Sequence, residues 1–169
     1  MITVGTGTSD DLGAIEGFAE AAMGPAFDHP DLDSAQRAEN VRIVGMTRQA
    51  CAGALDRDDA TLLVARDEAT GPVGFAIVLR TDPAMPEIDW LIVNPSFHGR
   101  GAADALMREA LEWIGPGVPV KLGVIHYNAR AIAFYEKHGF RDTGRIVGRH
   151  AIPRRLMIRP AEDGSRLHN

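Results

Sequence analysis

Apolar residues recur along this chain with two different periods. Short β-rich runs, several of which alternate apolar and polar residues, predict strands at 2–6, 61–66, 73–80, 87–93, 118–125, 144–149 and 155–159. Apolar residues every three to four positions predict helices at 12–23, 34–55, 102–114 and 128–138. Because strand and helix alternate regularly only in the second half of the chain, we predict a mixed α/β sheet.

Glycine, proline and capping residues set the predicted ends of the first two helices. Gly24 and Pro25 together are expected to end the first helix. Ser34 can cap the second helix, which is predicted to continue to about residue 55. The residues that this second helix carries at helical spacing are Val41, Val44, Cys51 and Leu55.

The strand predicted at 87–93 carries two acidic residues. Strict alternation places one set of apolar side chains on a single face: Ile88, Trp90 and Ile92. The opposite face then receives Glu87, Asp89, Leu91 and Val93. Two carboxylates are therefore expected to point the same way.

Length and charge narrow the classes of protein to be considered. The 169 residues fit one domain, predicted at 1–160, followed by a polar tail at 161–169 that we expect to fray. A net charge of -5 disfavours binding to nucleic acid or to an anionic membrane. A single cysteine, Cys51, excludes an internal disulfide, and no metal site is predicted. With no leader-like start and no long apolar segment, we expect a cytoplasmic protein.

The segment 94–103 has the order strand, glycine-rich turn, helix. This order directs several backbone N–H groups and a helix dipole at one point, which suits an anion such as a diphosphate. Gly99 and Gly101 let the backbone approach a phosphate, Ala103 keeps the first turn narrow, and Arg100 adds a positive charge. An ordinary strand-to-helix turn would account for the glycines equally well.

Two segments together resemble the signatures of the GCN5-related N-acetyltransferase (GNAT) family. The run His98-Gly99-Arg100-Gly101-Ala102-Ala103 is similar to the family's coenzyme A signature Gln/Arg-x-x-Gly-x-Gly/Ala, with His98 as the departure. Asn128 to Phe140 resembles the second signature, with Asn, Ala, Phe-Tyr and Gly-Phe at the family spacing. The resemblance covers about 61–158. It implies a mostly antiparallel sheet of six to seven strands, a splayed parallel central pair and about four helices.

The resemblance also implies acetyl-CoA as the cosubstrate and a set of residues that bind it. Backbone amides from Gly99 to Ala103 would hold the pyrophosphate, and the backbones of Leu91 and Val93 would hold the pantetheine arm. Asn128 would touch the cofactor from the far side, although it could equally be a plain helix cap. The complete predicted set is Leu91, Val93, His98, Gly99, Arg100, Gly101, Ala102, Ala103 and Asn128.

Acetyl transfer to an amine needs a proton acceptor and a proton donor, because alkyl ammonium groups have a pKa near ~10. Tyr135 lies where the family commonly places the donor to the departing thiolate; the alternative is a ring packed in the core. Glu87 and Asp89 are candidates for the base, for binding a cationic acceptor, or for a solvated sheet edge. His126 is a second candidate base. Many family members use only water.

The predicted function is direct acetyl transfer in a ternary complex to a primary amine of a small molecule or peptide. A non-catalytic acyl-CoA sensor with the same fold is the alternative, and a homodimer is left open. Arg145, Arg149, Arg154 and Arg155 are interpreted as a solvated strand face that could instead reach a coenzyme 3′-phosphate or an anionic acceptor. Cys51 is expected in the core rather than as a nucleophile.

Overall fold

One seven-stranded sheet forms the centre of the molecule. The structure is a computed structural model that describes residues 1–162, so positions 163–169 of the predicted tail lie outside the described residues. The strands are β1 (Ile2–Thr6), β2 (Ala60–Asp67), β3 (Gly71–Leu79), β4 (Glu87–Val93), β5 (Val120–Ile125), β6 (Arg141–Val147) and β7 (Arg154–Arg159). Their order is β1-β2-β3-β4-β5-β7-β6. Only the β4–β5 pair is parallel, which confirms the predicted mixed sheet with a parallel central pair.

The described residues form five α-helices around this sheet, one more than the approximate number predicted. They are α1 (Leu12–Phe27), α2 (Ser34–Gly45), α3 (Thr47–Leu55), α4 (Ala102–Ile114) and α5 (Ala129–Lys137). Within residues 1–162 none of them combines the length and the apolar composition needed to cross a membrane.

The helix predicted at 34–55 is divided at Met46, so that prediction was wrong. Gly45 has a low helix propensity, and the Thr47 hydroxyl donates to the Val44 carbonyl at 2.7 Å, which competes with the helical hydrogen bonds. The division separates the predicted apolar stripe. Val41 on α2 is 74% exposed, whereas Cys51 on α3 is fully buried, as predicted for a core cysteine.

The first helix also differs from its prediction, because it continues through Gly24 and Pro25 to Phe27. Proline lacks an N–H, so it costs one backbone hydrogen bond, and in the last turn of a helix the chain tolerates that loss. The Asp28 N–H donates to the Gly24 carbonyl at 3.1 Å and closes the helix. The additional turn brings Phe27 to the functional site described below.

A β-bulge interrupts the alternation in β4. Ile88 pairs with Val78 and Trp90 pairs with Ile77, which leaves Asp89 without a partner on β3. Ile88 consequently packs in the α4-side core with Leu91 and Val93, whereas Trp90 and Ile92 pack on the α1–α3 side. The predicted common face of Ile88, Trp90 and Ile92 is therefore wrong. By the same alternation Glu87 lies on the Trp90 face.

Two hydrophobic cores cover the two faces of the sheet and fix the strands that build the site. The core under α4 contains Leu106, Met107 and Ala110, all fully buried. The other core contains Ile15 of α1 and Cys51 of α3, packed on Phe75. In β5 the even-numbered residues Val120, Leu122 and Val124 belong to the α4 core, so the odd-numbered ones face α1 and α2.

Candidate active site

The parallel strands β4 and β5 separate soon after they begin. They pair once, at Glu87 and Lys121, and the Lys121 N–H donates to the Pro86 carbonyl at 3.0 Å. Further along, the Asn94 N–H donates to Val73 of β3 at 2.8 Å. Because backbone groups alternate in direction along a strand, those of Leu91 and Val93 face the gap toward β5. The gap thus exposes hydrogen-bonding groups along one edge of β4.

The loop that follows β4 has two glycines in the left-handed region. Gly99 has φ +75° and Gly101, the N-cap of α4, has φ +83°, a conformation that L side chains rarely adopt. The Arg100 N–H donates to the Phe97 carbonyl at 3.4 Å. Among the described residues no acceptor is recorded for the amides of Gly99 and of Gly101–Ala103. These amides, together with the α4 dipole, form an anion-binding loop.

The loop and the gap open into a cavity of about 720 Å³. Its "loop end" is defined by residues of β4, the loop and the start of α5: Leu91, Val93, Gly99, Gly101 and Asn128. Its "helix end" lies beneath α1 and α2 and is defined by Phe27, Arg42, Met46, Asp89, His150 and Arg154. A single space therefore connects an anion-binding loop to a group of charged side chains.

Tyr135 lines this cavity from α5. Its ring packs edge-on against Phe134, with centroids 5.5 Å apart, and against Phe140 at 6.0 Å. Burial raises the pKa of the phenol to about 12, against a weaker lowering by the charge of Arg154. In the described part of the chain the hydroxyl has no recorded hydrogen bond, so at neutral pH it is a protonated donor free to serve a ligand.

The two predicted carboxylates occupy different surroundings. Asp89 lines the cavity with an exposed side chain, and the partial loss of solvent there raises its pKa from the usual value even though Arg154 lowers it. Burial and then the charge of Asp89 raise the pKa of Glu87, which Lys121 opposes from 3.8 Å. Glu87 does not belong to the cavity lining. The bulge therefore directs only Asp89 into the site.

A model of the acetyltransferase (GNAT) domain matches residues 58–142, half of the chain. The chain belongs to the GNAT family. The matched segment contains β2 to β5, the anion-binding loop and α5, which are the elements around the loop end. The predicted family and its fold are thereby confirmed.

Curated relatives agree with this membership, and a solved structure agrees with the fold. An uncharacterized N-acetyltransferase of Mycobacterium tuberculosis is 41% identical over 76 residues, covering 43% of this chain and 47% of the relative. The peptidyl-lysine N-acetyltransferase YjaB of Salmonella typhimurium is 32% identical over 87 residues, covering 52% and 54%. The chain thus matches about half the length of these curated relatives. The PaiA N-acetyltransferase of Thermoplasma acidophilum, solved in complex with coenzyme A, has a TM-score of 0.65 at 17% identity, covering 95% and 99%.

Several other predicted site residues now have a position. The Asn128 side chain accepts from the Ala131 N–H at 3.2 Å, so its capping role is confirmed, and it also lines the cavity. His98 lines the cavity too, and burial and the charge of Arg130 lower its pKa. The Arg100 guanidinium lies over the Phe97 ring, 4.9 Å from its centroid, outside the lining. The cofactor contacts of all three stay predictions.

His126, the second candidate base, is exposed and does not belong to the cavity lining. Its ring packs against Tyr127, with centroids 5.1 Å apart. The structure therefore brings Asp89 to the cavity wall but not His126.

Sequence reasoning missed three ionisable residues of the helix end. Arg154 was interpreted as part of a solvated strand face, yet it is half-buried and lines the cavity. Arg42 and His150 were not singled out, although both line the same end. No local pattern marks them, because they meet only when α2 packs against the β6–β7 connection. Arg155, by contrast, pairs with Asp142 at 2.8 Å, away from the cavity.

Proposed function

We propose that this chain transfers an acetyl group from acetyl-CoA to a primary amine, directly and within a ternary complex. The observation that carries the proposal is the continuous cavity. It joins Tyr135 and Asp89 to the loop, whose amides at Gly99 and Gly101–Ala103 find no acceptor in the described part of the chain. Membership of the GNAT family supports it. So do the acetyltransferase names of the relatives and the coenzyme A bound to the similarly folded PaiA protein.

Backbone groups would hold the cofactor at the loop end. The backbone amides of Gly99 and Gly101–Ala103 suit the pyrophosphate, which needs several donors directed at one point. The pantetheine arm contains amide groups, and the backbones of Leu91 and Val93 offer them the pairing that a neighbouring strand would otherwise provide. This arrangement would direct the thioester along β4 toward Asp89 and Tyr135.

The acid and the base of the reaction would lie on opposite sides of the thioester. Asp89, directly or through a water, would take a proton from the incoming ammonium group, and its raised pKa makes it a better acceptor than an ordinary carboxylate. The neutral amine would then attack the acetyl carbon. As the carbon–sulfur bond breaks, Tyr135 would donate its proton to the sulfur, which leaves as the free thiol. The proton that the new amide nitrogen must lose would restore the phenol, and Asp89 would release its proton to solvent.

The acceptor would enter at the helix end, where α1 and α2 meet the β6–β7 connection. A small molecule or a peptide amine fits the proposal, and the relative YjaB is named for acetylating peptidyl lysine. Of the segments that form this end, α1, α2 and the β6–β7 connection lie outside the part matched by the family model.

The test is an acetylation screen in which free thiol and acetylated product are measured together. A panel of amino acids, polyamines and peptides is incubated with acetyl-CoA, and products are identified by a mass increase of one acetyl group. We expect equimolar thiol and acetylated amine with at least one acceptor. Tight coenzyme A binding without turnover on any amine would favour the non-catalytic sensor instead.

A further inference from the structure

Three arginines on β7 have different surroundings. Arg155 forms an ion pair with Asp142 at 2.8 Å, and Arg159 forms one with Glu162 at 2.6 Å. Arg154 forms no ion pair within the described residues, and its buried Nε has no hydrogen-bond partner there. A buried donor on a charged group is costly to leave unpaired. The unpaired arginine is also the one that lines the cavity.

A glycine on the neighbouring strand lets Arg154 reach the cavity. Arg154 is paired with Ile125 of β5, so its side chain lies on the same face as Ile125 and Gly123. A Cβ at position 123 would lie 3.8 Å from the Arg154 Cβ and 3.1 Å from a Val147 methyl group. The missing side chain leaves room above β5. The aliphatic part of the Arg154 side chain passes over Gly123 toward the helix end.

The helix end also contains a second guanidinium with different surroundings. Arg42 contributes a second guanidinium, which is held by the Met46 sulfur at 3.1 Å and lies 3.7 Å from Glu39. Glu39 offsets the charge of Arg42, and its second oxygen accepts from the Ala151 N–H at 2.7 Å. Asp89 is the one carboxylate among the residues that define this end. With Glu39 beside Arg42, Arg154 is the guanidinium at this end for which the described residues provide no ion pair.

We propose that Arg154, assisted by Arg42, binds a carboxylate of the acceptor, so that the substrate is an amine that carries its own carboxylate. This inference rests on the proposed acetyl transfer and specifies its substrate class. A guanidinium presents parallel N–H donors that match the two oxygens of a carboxylate. Asp89 at the same end suits the ammonium group. A polyamine would bring only positive charge to Arg154, and the site disfavours it.

The carboxylate can come from two sources, which the experiment separates. In the first arm, free amino acids are compared with their carboxamides. In the second arm, C-terminally amidated peptides with Asp at the second position are compared with the same peptides carrying Asn. We expect one carboxylate form to exceed its amide by about thirtyfold in kcat/KM, the effect of one buried charged pair. Equal values in both arms would overturn the inference.

Substitutions assign the preference to Arg154. Arg154→Gln should raise the KM of the carboxylate acceptor by about thirtyfold and leave the KM of acetyl-CoA within about twofold. Arg155→Gln is the matched control on the same strand, and it should keep the preference. Arg154→Lys preserves the positive charge but lacks the paired N–H donors of a guanidinium, so it should recover part of the affinity for the carboxylate acceptor. It also replaces Arg154→Gln as the test variant if Arg154→Gln does not fold. An equal fall of kcat on both acceptor forms would mean that Arg154 acts on the departing sulfur and would overturn the assignment.

The outcome separates this inference from the proposed function. Preferential acetylation of a polyamine, or of a carboxamide over its acid, contradicts the acceptor class while acetyl transfer itself stands. Absence of thiol release with every amine in the panel contradicts acetyl transfer, and with it the inference.

Discussion

The two ends of the cavity are built in different ways. The loop end consists mainly of backbone groups from one continuous stretch, β4 to the start of α4, with Asn128 added from α5. The helix end consists of side chains from separate segments: α1, α2, the β4 bulge and the β6–β7 region. A backbone site depends on local conformation, which a short sequence motif can specify. A side-chain site depends on tertiary packing, which no motif of this chain records.

The largest effect should come from the loop end. Gly101→Glu introduces both a strained left-handed residue and a negative charge beside the pyrophosphate, so coenzyme A affinity should fall by about 10³-fold or more. Calorimetric titration measures the loss. The matched control is Gly115→Glu, because Gly115 has φ +90° at the other end of α4 and lies outside the cavity lining. Equal affinity in the two folded variants would contradict the anion-binding loop.

The next effect separates chemistry from binding. Tyr135→Phe preserves the packed ring but removes the proton donor, so kcat should fall by about 10² while acetyl-CoA affinity changes only a few-fold. Steady-state kinetics and calorimetry measure the two quantities. The pKa of about 12 also means that Tyr135 stays protonated, and active as a donor, well above neutral pH.

Tyr127→Phe provides the comparison for this prediction. The Tyr127 hydroxyl donates to the Phe27 carbonyl and thus ties the β5–α5 connection to the end of α1. Its loss should lower the melting temperature and leave kcat nearly normal. The opposite pairing, a normal kcat in Tyr135→Phe and a large loss in Tyr127→Phe, would remove Tyr135 from the mechanism.

The sequence predicted the loop end far better than the helix end. The strand at 87–93, the glycine loop, α4 and the Asn128 cap all have local patterns, and the structure contains each of them. The bulge at Asp89 was missed because a single additional residue in a strand changes no propensity. The division at Met46 was missed because helical spacing extends across it. Arg154 was missed because its burial depends on Gly123, which lies on another strand.

A smaller effect concerns the base at the helix end. The partial loss of solvent raises the pKa of Asp89, and the carboxylate must be deprotonated to accept a proton. Wild-type activity should therefore rise with pH through a value above the usual aspartate range. Asp89→Asn should remove this rise of activity with pH. It should also raise the KM of the amine by about tenfold and change the KM of acetyl-CoA less.

Glu87→Gln is the control for this prediction. Because Glu87 pairs with Lys121 outside the cavity lining, its loss should change the amine KM less. Adding Glu87→Gln to Asp89→Asn should add little further. A pH profile that is identical in wild type and Asp89→Asn would show that water alone accepts the proton.

The smallest effect should come from support of the helix end. Glu39 accepts from the Ala151 amide and so holds the β6–β7 connection against α2. Glu39→Gln weakens this charge-assisted hydrogen bond and should raise the amine KM by about threefold, without altering coenzyme A affinity. Val41→Ser, an exposed change on the same helix, should alter neither. A reversed pattern, with only coenzyme A affinity affected, would contradict the division of the cavity into two ends.

Hydrogen exchange of backbone amides, with and without coenzyme A, tests the central claim most directly. The account predicts slower exchange at Leu91 and Val93, whose amides face the gap toward β5. It predicts the same at Gly99 and Gly101–Ala103, whose amides find no acceptor among residues 1–162. It predicts little change in the β6–β7 connection, around His150. Protection confined to that connection, with unchanged exchange along β4 and the loop, would contradict it.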